Sequence, residues 1–137
     1  YPSIINIKIK TTNLIAITYI DQKKYFIGQN GNFILAKQIS NKKKLPIVFG
    51  KPTPDDYISL QTKLLNQKID TNQIIKYYFH KNKRWDLYFE NNVIVMLPNK
   101  NIEHSLNIYQ NFNKINQINP NTIIDLRIPK RLILKSE

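Results

Sequence analysis

The sequence predicts an α+β fold in which two helices pack on a largely antiparallel sheet. Several short stretches alternate apolar and polar residues, which is typical of half-buried strands. Two longer stretches repeat apolar residues at helical spacing. The expected order is several strands, a helix, three strands, a second helix and two final strands. No internal repeat and no long low-complexity linker are visible in the sequence.

The first third of the chain predicts strands and one tight turn. Ile5, Ile7 and Ile9 alternate with polar residues, as expected of a strand with one buried face. Asn30-Gly31 favours a hairpin, because both residues tolerate positive φ. The strands predicted in this part are 5–9, 14–20, 25–27 and 33–35.

The first helix has several agreeing start signals. Thr53 can cap it, Pro54 suits its first turn, and two aspartates follow at the positive end of the helix dipole. The residues expected on its buried face, which continues to about residue 68, are Tyr57, Leu60, Leu64 and Leu65. Before this helix we expect an exposed lysine-rich loop at 36–46 and a short apolar segment at 45–50.

The second half predicts five more strands and another helix. The strands are expected at 74–80, 84–90, 93–97, 122–128 and 131–135, and the helix at 101–113. Ile102, Leu106 and Tyr109 share one face of this helix. In the strand at 84–90, Trp85, Leu87 and Phe89 are expected to face the core, while Arg84, Asp86, Tyr88 and Glu90 face outward.

The net charge of +12 has more than one interpretation. Only Arg84, Arg127 and Arg131 are arginines among 21 basic residues, so the main interpretation is an AT-rich genome that favours Lys, Asn and Ile codons. The alternatives are a nucleic-acid-binding or an anionic-lipid-binding module. No apolar run approaches the roughly 18 residues needed to cross a bilayer, so any membrane anchor is expected outside this segment.

The sequence contains few of the side-chain combinations that are typical of catalytic sites. The chain has no cysteine, which excludes disulfides and thiol catalysis. His80 and His104 lack metal-ligand spacing and are interpreted as surface or edge residues. Asp86 and Glu90 share a strand face but suggest ion pairs more than a glycosidase pair. We therefore expect a non-enzymatic protein, with no catalytic residue, no cofactor and no metal.

Two blocks carry a family resemblance. Residues 84–98, beginning Arg84-Trp85-Asp86-Leu87 and ending Leu97-Pro98, and residues 124–132, beginning Ile124-Asp125-Leu126-Arg127, resemble conserved blocks of FtsQ/DivIB cell-division proteins. The hairpin at 25–34 and the segment at 45–50 are also similar. Asn92 departs from the usual glycine of the turn, and Lys130 stands where an acidic residue is common.

The resemblance implies a domain organisation. Residues 1–12 are expected to be the last strand, a remnant, of a POTRA domain, and residues 13–137 the FtsQ-type β domain. Such proteins lie on the periplasmic side of the bacterial inner membrane, anchored by a single transmembrane helix that would lie outside this chain. Contacts with other divisome proteins such as FtsK would involve the mostly missing POTRA region.

The resemblance also implies partners. The β domain of the family binds FtsB, and with it FtsL, by strand addition to its last strand, and so links early and late divisome proteins in septum formation. No nucleic acid is expected as a partner. An outer strand has an unpaired backbone row that suits such addition. The expected partner-binding residues are Lys83, Arg84, Arg127, Ile128, Lys130, Arg131, Leu132, Ile133 and Leu134.

Two of these expectations are specific. Arg127 is expected on the polar face of its strand, where it would meet an acidic residue of FtsB, and Lys83 or Arg84 matches a second basic position of the family. For Leu132 and Leu134 an alternative stays open, in which both are core residues and the flanking cations only prevent wrong pairing.

Overall fold

The computed structural model describes residues 13–38 and 44–136, so the strand predicted at 5–9 and the POTRA remnant at 1–12 lie outside the described residues. Within them the strands are β1 (Leu14–Ile20), β2 (Lys23–Gly28), β3 (Phe33–Leu35), β4 (Ile47–Phe49), β5 (Ile74–Phe79), β6 (Trp85–Phe89), β7 (Ile94–Met96), β8 (Thr122–Asp125) and β9 (Ile133–Ser136). The α-helices are α1 (Pro54–Asn66) and α2 (Ile102–Ile115).

All the described strands form one sheet in the order β3-β2-β1-β4-β5-β6-β7-β8-β9. Most neighbouring pairs are antiparallel, which confirms the prediction of two helices on a largely antiparallel sheet. The pairs β1–β4, β4–β5 and β7–β8 are parallel and were not predicted. Parallel neighbours need a long crossover, and α1 and α2 supply it for β4–β5 and β7–β8.

The sheet contains a structural repeat that the sequence does not reveal. The segments β4-α1-β5-β6 and β7-α2-β8-β9 both consist of a strand, a helix, a parallel strand and an antiparallel strand. Both crossovers step the same way along the sheet from strands that run in the same direction. Crossovers of this kind are nearly always right-handed, so both helices lie on the same face of the sheet. The opposite face carries no helix among the described residues.

The first helix begins as predicted. Thr53 Oγ1 accepts a hydrogen bond from the Asp56 amide (3.1 Å), and Asp56 Oδ2 accepts one from the Thr53 amide (3.0 Å), which together form a capping box. The buried residues of α1 are Tyr57, Leu60 and Leu64. Leu65 is 73% exposed, so its prediction as a core residue is wrong. Each helical residue turns by about 100°, which carries Leu65 away from the stripe that ends at Leu64.

The core lies between the helices and one face of the sheet. Tyr57 of α1 meets Tyr77 of β5 edge-on, with ring centroids 5.1 Å apart, and Tyr77 meets Trp85 at 6.2 Å. Burial raises the pKa of Tyr77 to about 12. Under α2, Phe89 packs against Tyr109 at 6.2 Å. The predicted inward face of the strand at 84–90 is therefore confirmed.

Residues on the uncovered face line up in rows across the sheet. One row runs from Tyr78 through Asp86, Met96 and Asp125 to Ile133, each in register with the next on the neighbouring strand. We call the side of the sheet that carries this row the open face. It bears the polar residues of the two sequence blocks, so the candidate site lies here.

Candidate partner-binding site

Asp86 anchors the first half of the site at the start of β6. Its Oδ1 accepts a hydrogen bond from Arg84 Nη1 at 2.6 Å, and its Oδ2 lies 2.8 Å from His80 Nε2. Arg84 Nη1 also reaches the Leu97 carbonyl at 3.4 Å. Because Arg84 and His80 cover it, Asp86 is only 5% exposed. Asp86 lies on the outward face as predicted but is buried there by its ion-pair partners, and His80, predicted as a surface or edge residue, is one of them and is partly buried.

Asp125 anchors the second half at the end of β8. Arg127 binds it bidentately, with Nε 2.9 Å from Oδ1 and Nη2 2.7 Å from Oδ2. The Arg127 amide donates to Oδ1 at 3.0 Å, and Lys135 Nζ lies 3.2 Å from Oδ2. The hydrogen bonds from the Arg127 side chain hold the pKa of Asp125 well below its usual range. The same bonds raise the pKa of Arg127.

Arg127 lies beyond the end of its strand. The prediction extended this strand to residue 128, but β8 ends at Asp125, whose carboxylate accepts a hydrogen bond from the Arg127 amide two residues later. The Arg127 side chain remains 42% exposed while it holds Asp125. Arg127 can therefore present positive charge at the border of the open face while it stays paired with Asp125.

The edge of the sheet is β9, which pairs with β8 alone among the described strands. It begins at Ile133, two residues later than predicted, after a turn in which the Arg131 amide donates to the Ile128 carbonyl at 3.2 Å. Lys130 has a φ of 62° in this turn. Leu132 packs against the core, whereas Leu134 is 51% exposed. Leu132 is therefore a core-contacting residue, as the alternative interpretation had it, and Leu134 is not.

Most of the predicted partner-binding residues lie at one corner of the sheet, near the start of β6, the end of β8 and the start of β9. Two of them, Arg84 and Lys83, differ in exposure. The Arg84 side chain is 12% exposed and committed to Asp86, whereas Lys83 is exposed in the turn before β6 with a φ of 66°. Lys83 is thus the freer cation of that pair. Ile128, Lys130 and Arg131 are exposed in the turn that leads into β9.

Ion pairs were expected for Asp86, and Arg84 and His80 supply them, but the pairing of Arg127 with Asp125 was missed. Arg84 and Asp86 are two residues apart, as are Asp125 and Arg127, and such spacing places side chains on the same side of an extended chain. That spacing was a usable signal. Lys135 and His80 reach the carboxylates from neighbouring strands, so no local pattern could have identified them.

Comparison with known proteins decides the family. The family model described as "Cell division protein FtsQ/DivIB, C-terminal" matches residues 16–127. The chain belongs to the FtsQ/DivIB family. The first block, 84–98, lies wholly within the matched range, and the second, 124–132, overlaps its end at residues 124–127.

Two relatives are also similar. "Cell division protein FtsQ" from Rhizobium radiobacter is 20% identical over 137 residues, which cover 98% of this chain and 65% of that protein. The chain thus spans less than two thirds of this curated relative. The solved major extracytoplasmic domain of the cell-division protein DivIB from Geobacillus stearothermophilus has a TM-score of 0.47 and 17% identity, over 72% of this chain and 87% of that one.

In this FtsQ/DivIB chain, neither a membrane span nor a metal site is found among the described residues. No described helix is both long and apolar enough to span a bilayer. In the described parts of the chain, no group of three His, Asp or Glu side chains is placed to hold a metal ion.

Proposed function

We propose that this chain is a divisome scaffold that binds FtsB, and with it FtsL, by accepting a strand at the outer edge of β9. The observation that carries the proposal is the position of β9, whose only described neighbour is β8. The outer backbone groups of such a strand are available to an added strand, which gains affinity from main-chain hydrogen bonds. The proposal includes a periplasmic location and a link between early and late divisome proteins.

The side chains around β9 suit an acidic partner. Arg127 and Lys135 both contact Asp125 and remain 42% and 49% exposed. Lys130 and Arg131 are exposed in the preceding turn. Two cations share one carboxylate, so this corner has an excess of positive charge even before the turn is counted. Such an excess would steer and orient an acidic strand.

The apolar side chains of β9 offer contacts on both faces of an added strand. Ile133 lies in register with Asp125 on the open face, and Leu134 lies opposite the fully buried Ile124 on the helix face. Half of the Leu134 side chain is exposed, so a partner side chain placed beside it would extend the core by one strand. Burial of a leucine side chain contributes about 1.5–3 kcal/mol when complete.

The test is a titration of this chain with a peptide from the C-terminal part of its cognate FtsB. Proline at Ile133 removes an amide from β9 and should weaken binding about tenfold or more, as expected for the loss of more than one kilocalorie of strand pairing. The control is Ile34→Pro in β3, the strand at the other edge of the sheet. Equal binding by both variants would show that the peptide does not add to β9.

The preceding part of the protein completes the proposal. Residues 1–12 would be the end of a POTRA domain, residues from 13 onward the β domain, and a transmembrane helix outside this chain would anchor both. Contacts with proteins such as FtsK would belong to the POTRA domain. A longer version of the protein that retains FtsK binding while carrying Ile133→Pro would support this division of roles.

A further inference from the structure

The half of the open face that lies far from β9 carries three large exposed aromatic side chains. Tyr19 of β1 is 48% exposed, Phe49 of β4 is 38% exposed and Tyr78 of β5 is 42% exposed. We call these three residues the aromatic strip. None of them contacts β9 or the cations beside it, although Tyr78 is in register with Asp86. Exposed apolar patches on a protein surface often mark contact sites for other molecules.

The strip follows from the parallel pairing in the centre of the sheet. Phe49 and Tyr78 are in register on β4 and β5. Tyr19 and Phe49 follow directly after Thr18 and Val48, which are in register on β1 and β4, so all three aromatics lie side by side. Neighbouring strands are about 4.8 Å apart, which gives a strip about 10 Å long.

The aromatic strip is separate from the proposed edge. Four strand spacings divide β5 from β9, a distance of about 19 Å across the sheet. A partner that pairs with β9 would therefore leave the strip uncovered, unless it also extended across the row that contains Asp86 and Asp125.

The immediate surroundings of the strip are basic. Lys24 is in register with Tyr19, and its amine lies 5.5 Å from the centre of the Phe26 ring. Lys76 precedes Tyr78 on the same face, and its amine lies 6.0 Å from the centre of the Tyr88 ring. Lys51 and Lys81 are exposed just beyond the ends of β4 and β5. Two acids lie nearby: Asp21 is exposed in the turn after β1, and Asp86 is in register with Tyr78 but is held by Arg84 and His80.

We propose that the aromatic strip docks an acidic amphipathic segment of a protein partner, at a site distinct from β9. Apolar side chains of the segment would pack on Tyr19, Phe49 and Tyr78, and its carboxylates would pair with Lys24 and Lys76. An acidic amphipathic segment matches both properties of this surface, because its apolar side chains can cover the aromatic rings and its carboxylates can pair with the lysines.

Ring packing favours a protein segment over a single-stranded nucleic acid. Bases stack on open ring faces, but the Tyr78 ring already lies against His80, with centroids 4.7 Å apart. The neighbouring rings of Phe26 and Tyr88 are each approached by a lysine amine. Apolar side chains of a peptide can instead contact ring edges and the exposed parts of each ring.

The first experiment measures peptide binding to the purified chain. The probes are a labelled amphipathic peptide of Glu and Leu and a matched peptide of Lys and Leu. The double variant Phe49→Ser, Tyr78→Ser should bind the acidic peptide about tenfold more weakly than the parent chain. The control, Leu65→Ser, removes a side chain that is 73% exposed on the helix face and should bind as the parent does. Equal binding by all three chains, or a preference for the basic peptide, would overturn the proposal.

The second experiment identifies the occupant in cells. A photo-crosslinking residue replaces Phe49 in the full-length protein, and the crosslinked species is identified by mass spectrometry. The proposal expects an acidic protein segment, and it expects the crosslink to persist when Ile133→Pro is also present. A crosslink to nucleic acid, lipid or glycan, a basic segment, or no product beyond that of a crosslinker at Leu65, would each contradict it.

Discussion

Asp86 and Asp125 lie in one row of the sheet, two strands apart, with Met96 in register between them. Both carboxylates are buried, and each has an arginine two residues away along the chain. Arg84 comes before its aspartate and Arg127 comes after its own. Since β6 and β8 run in opposite directions, this reversed order places both arginines toward the same end of the sheet. The two sequence blocks thus build one charged corner.

The carboxylate of Asp125 should make stability depend on pH. Its folded pKa lies below that of the unfolded chain, so its contribution is complete above about pH 4 and is lost as the pH falls through the folded pKa. Asp125→Asn should lower the free energy of unfolding at pH 7 by about 1–3 kcal/mol. Urea denaturation at pH 7 and pH 3 measures this, and the difference between parent and variant should shrink at pH 3. An unchanged difference would show that the ion pairs do not stabilise the fold.

Arg84 should matter for folding more than for recognition. Arg84→Ala leaves the buried Asp86 with His80 alone and should cost about 2–4 kcal/mol of stability. The neighbouring Lys83 is exposed, so Lys83→Ala should change stability by less than about 0.5 kcal/mol. Thermal or chemical denaturation of the two variants provides the comparison. If both lost equal stability, the Arg84–Asp86 pair would not have the structural role assigned to it.

Gly50 occupies a position that no other residue should tolerate. Its φ is 94°, and a Cβ built there would lie 1.8 Å from the Phe79 carbonyl oxygen. Gly50→Ala should therefore cost more than about 4 kcal/mol or prevent folding. Gly31 also has a positive φ, of 84°, but a Cβ there would meet only Asp55 Oδ1 at 3.3 Å. Gly31→Ala should cost about 1–2 kcal/mol, and expression yield with urea denaturation would separate the two cases.

The two leucines at the end of α1 should differ strongly. Leu64 is fully buried, so Leu64→Ala should cost about 2–5 kcal/mol through lost burial and a cavity. Leu65 is 73% exposed, so Leu65→Ser should change the free energy of unfolding by no more than about 0.5 kcal/mol. Chemical denaturation of both variants measures these changes. A large loss for Leu65→Ser would show that it contacts the core.

The sequence predicted those features of the fold that depend on local spacing. Thr53 and Asp56 form the cap that their spacing indicated, and alternation identified the strand that contains Trp85. The parallel neighbours of β4 could not be predicted, because three residues carry no periodic signal and a crossover pairing depends on distant segments. Leu65 was misplaced because adjacent leucines at the edge of a helical stripe give no local indication of which one is buried.

The candidate site was predicted in outline and not in its chemistry. The two sequence blocks located the corner, and the family they indicated is confirmed. The burial of Asp86 was missed, because His80 reaches it from another strand and a single sequence shows no such contact. For Arg127 the spacing to Asp125 was present but was interpreted as two residues of one longer strand. The partner-binding roles of these residues stay predictions.

The two β-α-β-β segments suggest a direction for a strand placed beside β9. In the first segment the last strand, β6, is followed across the sheet by β7, which runs antiparallel to it. In the second segment β9 stands in the place of β6, and no described strand stands in the place of β7. Among the described strands, the sheet thus ends where the second β-α-β-β segment ends. By the same pattern, we expect a strand added beside β9 to run antiparallel to it, as β7 runs antiparallel to β6.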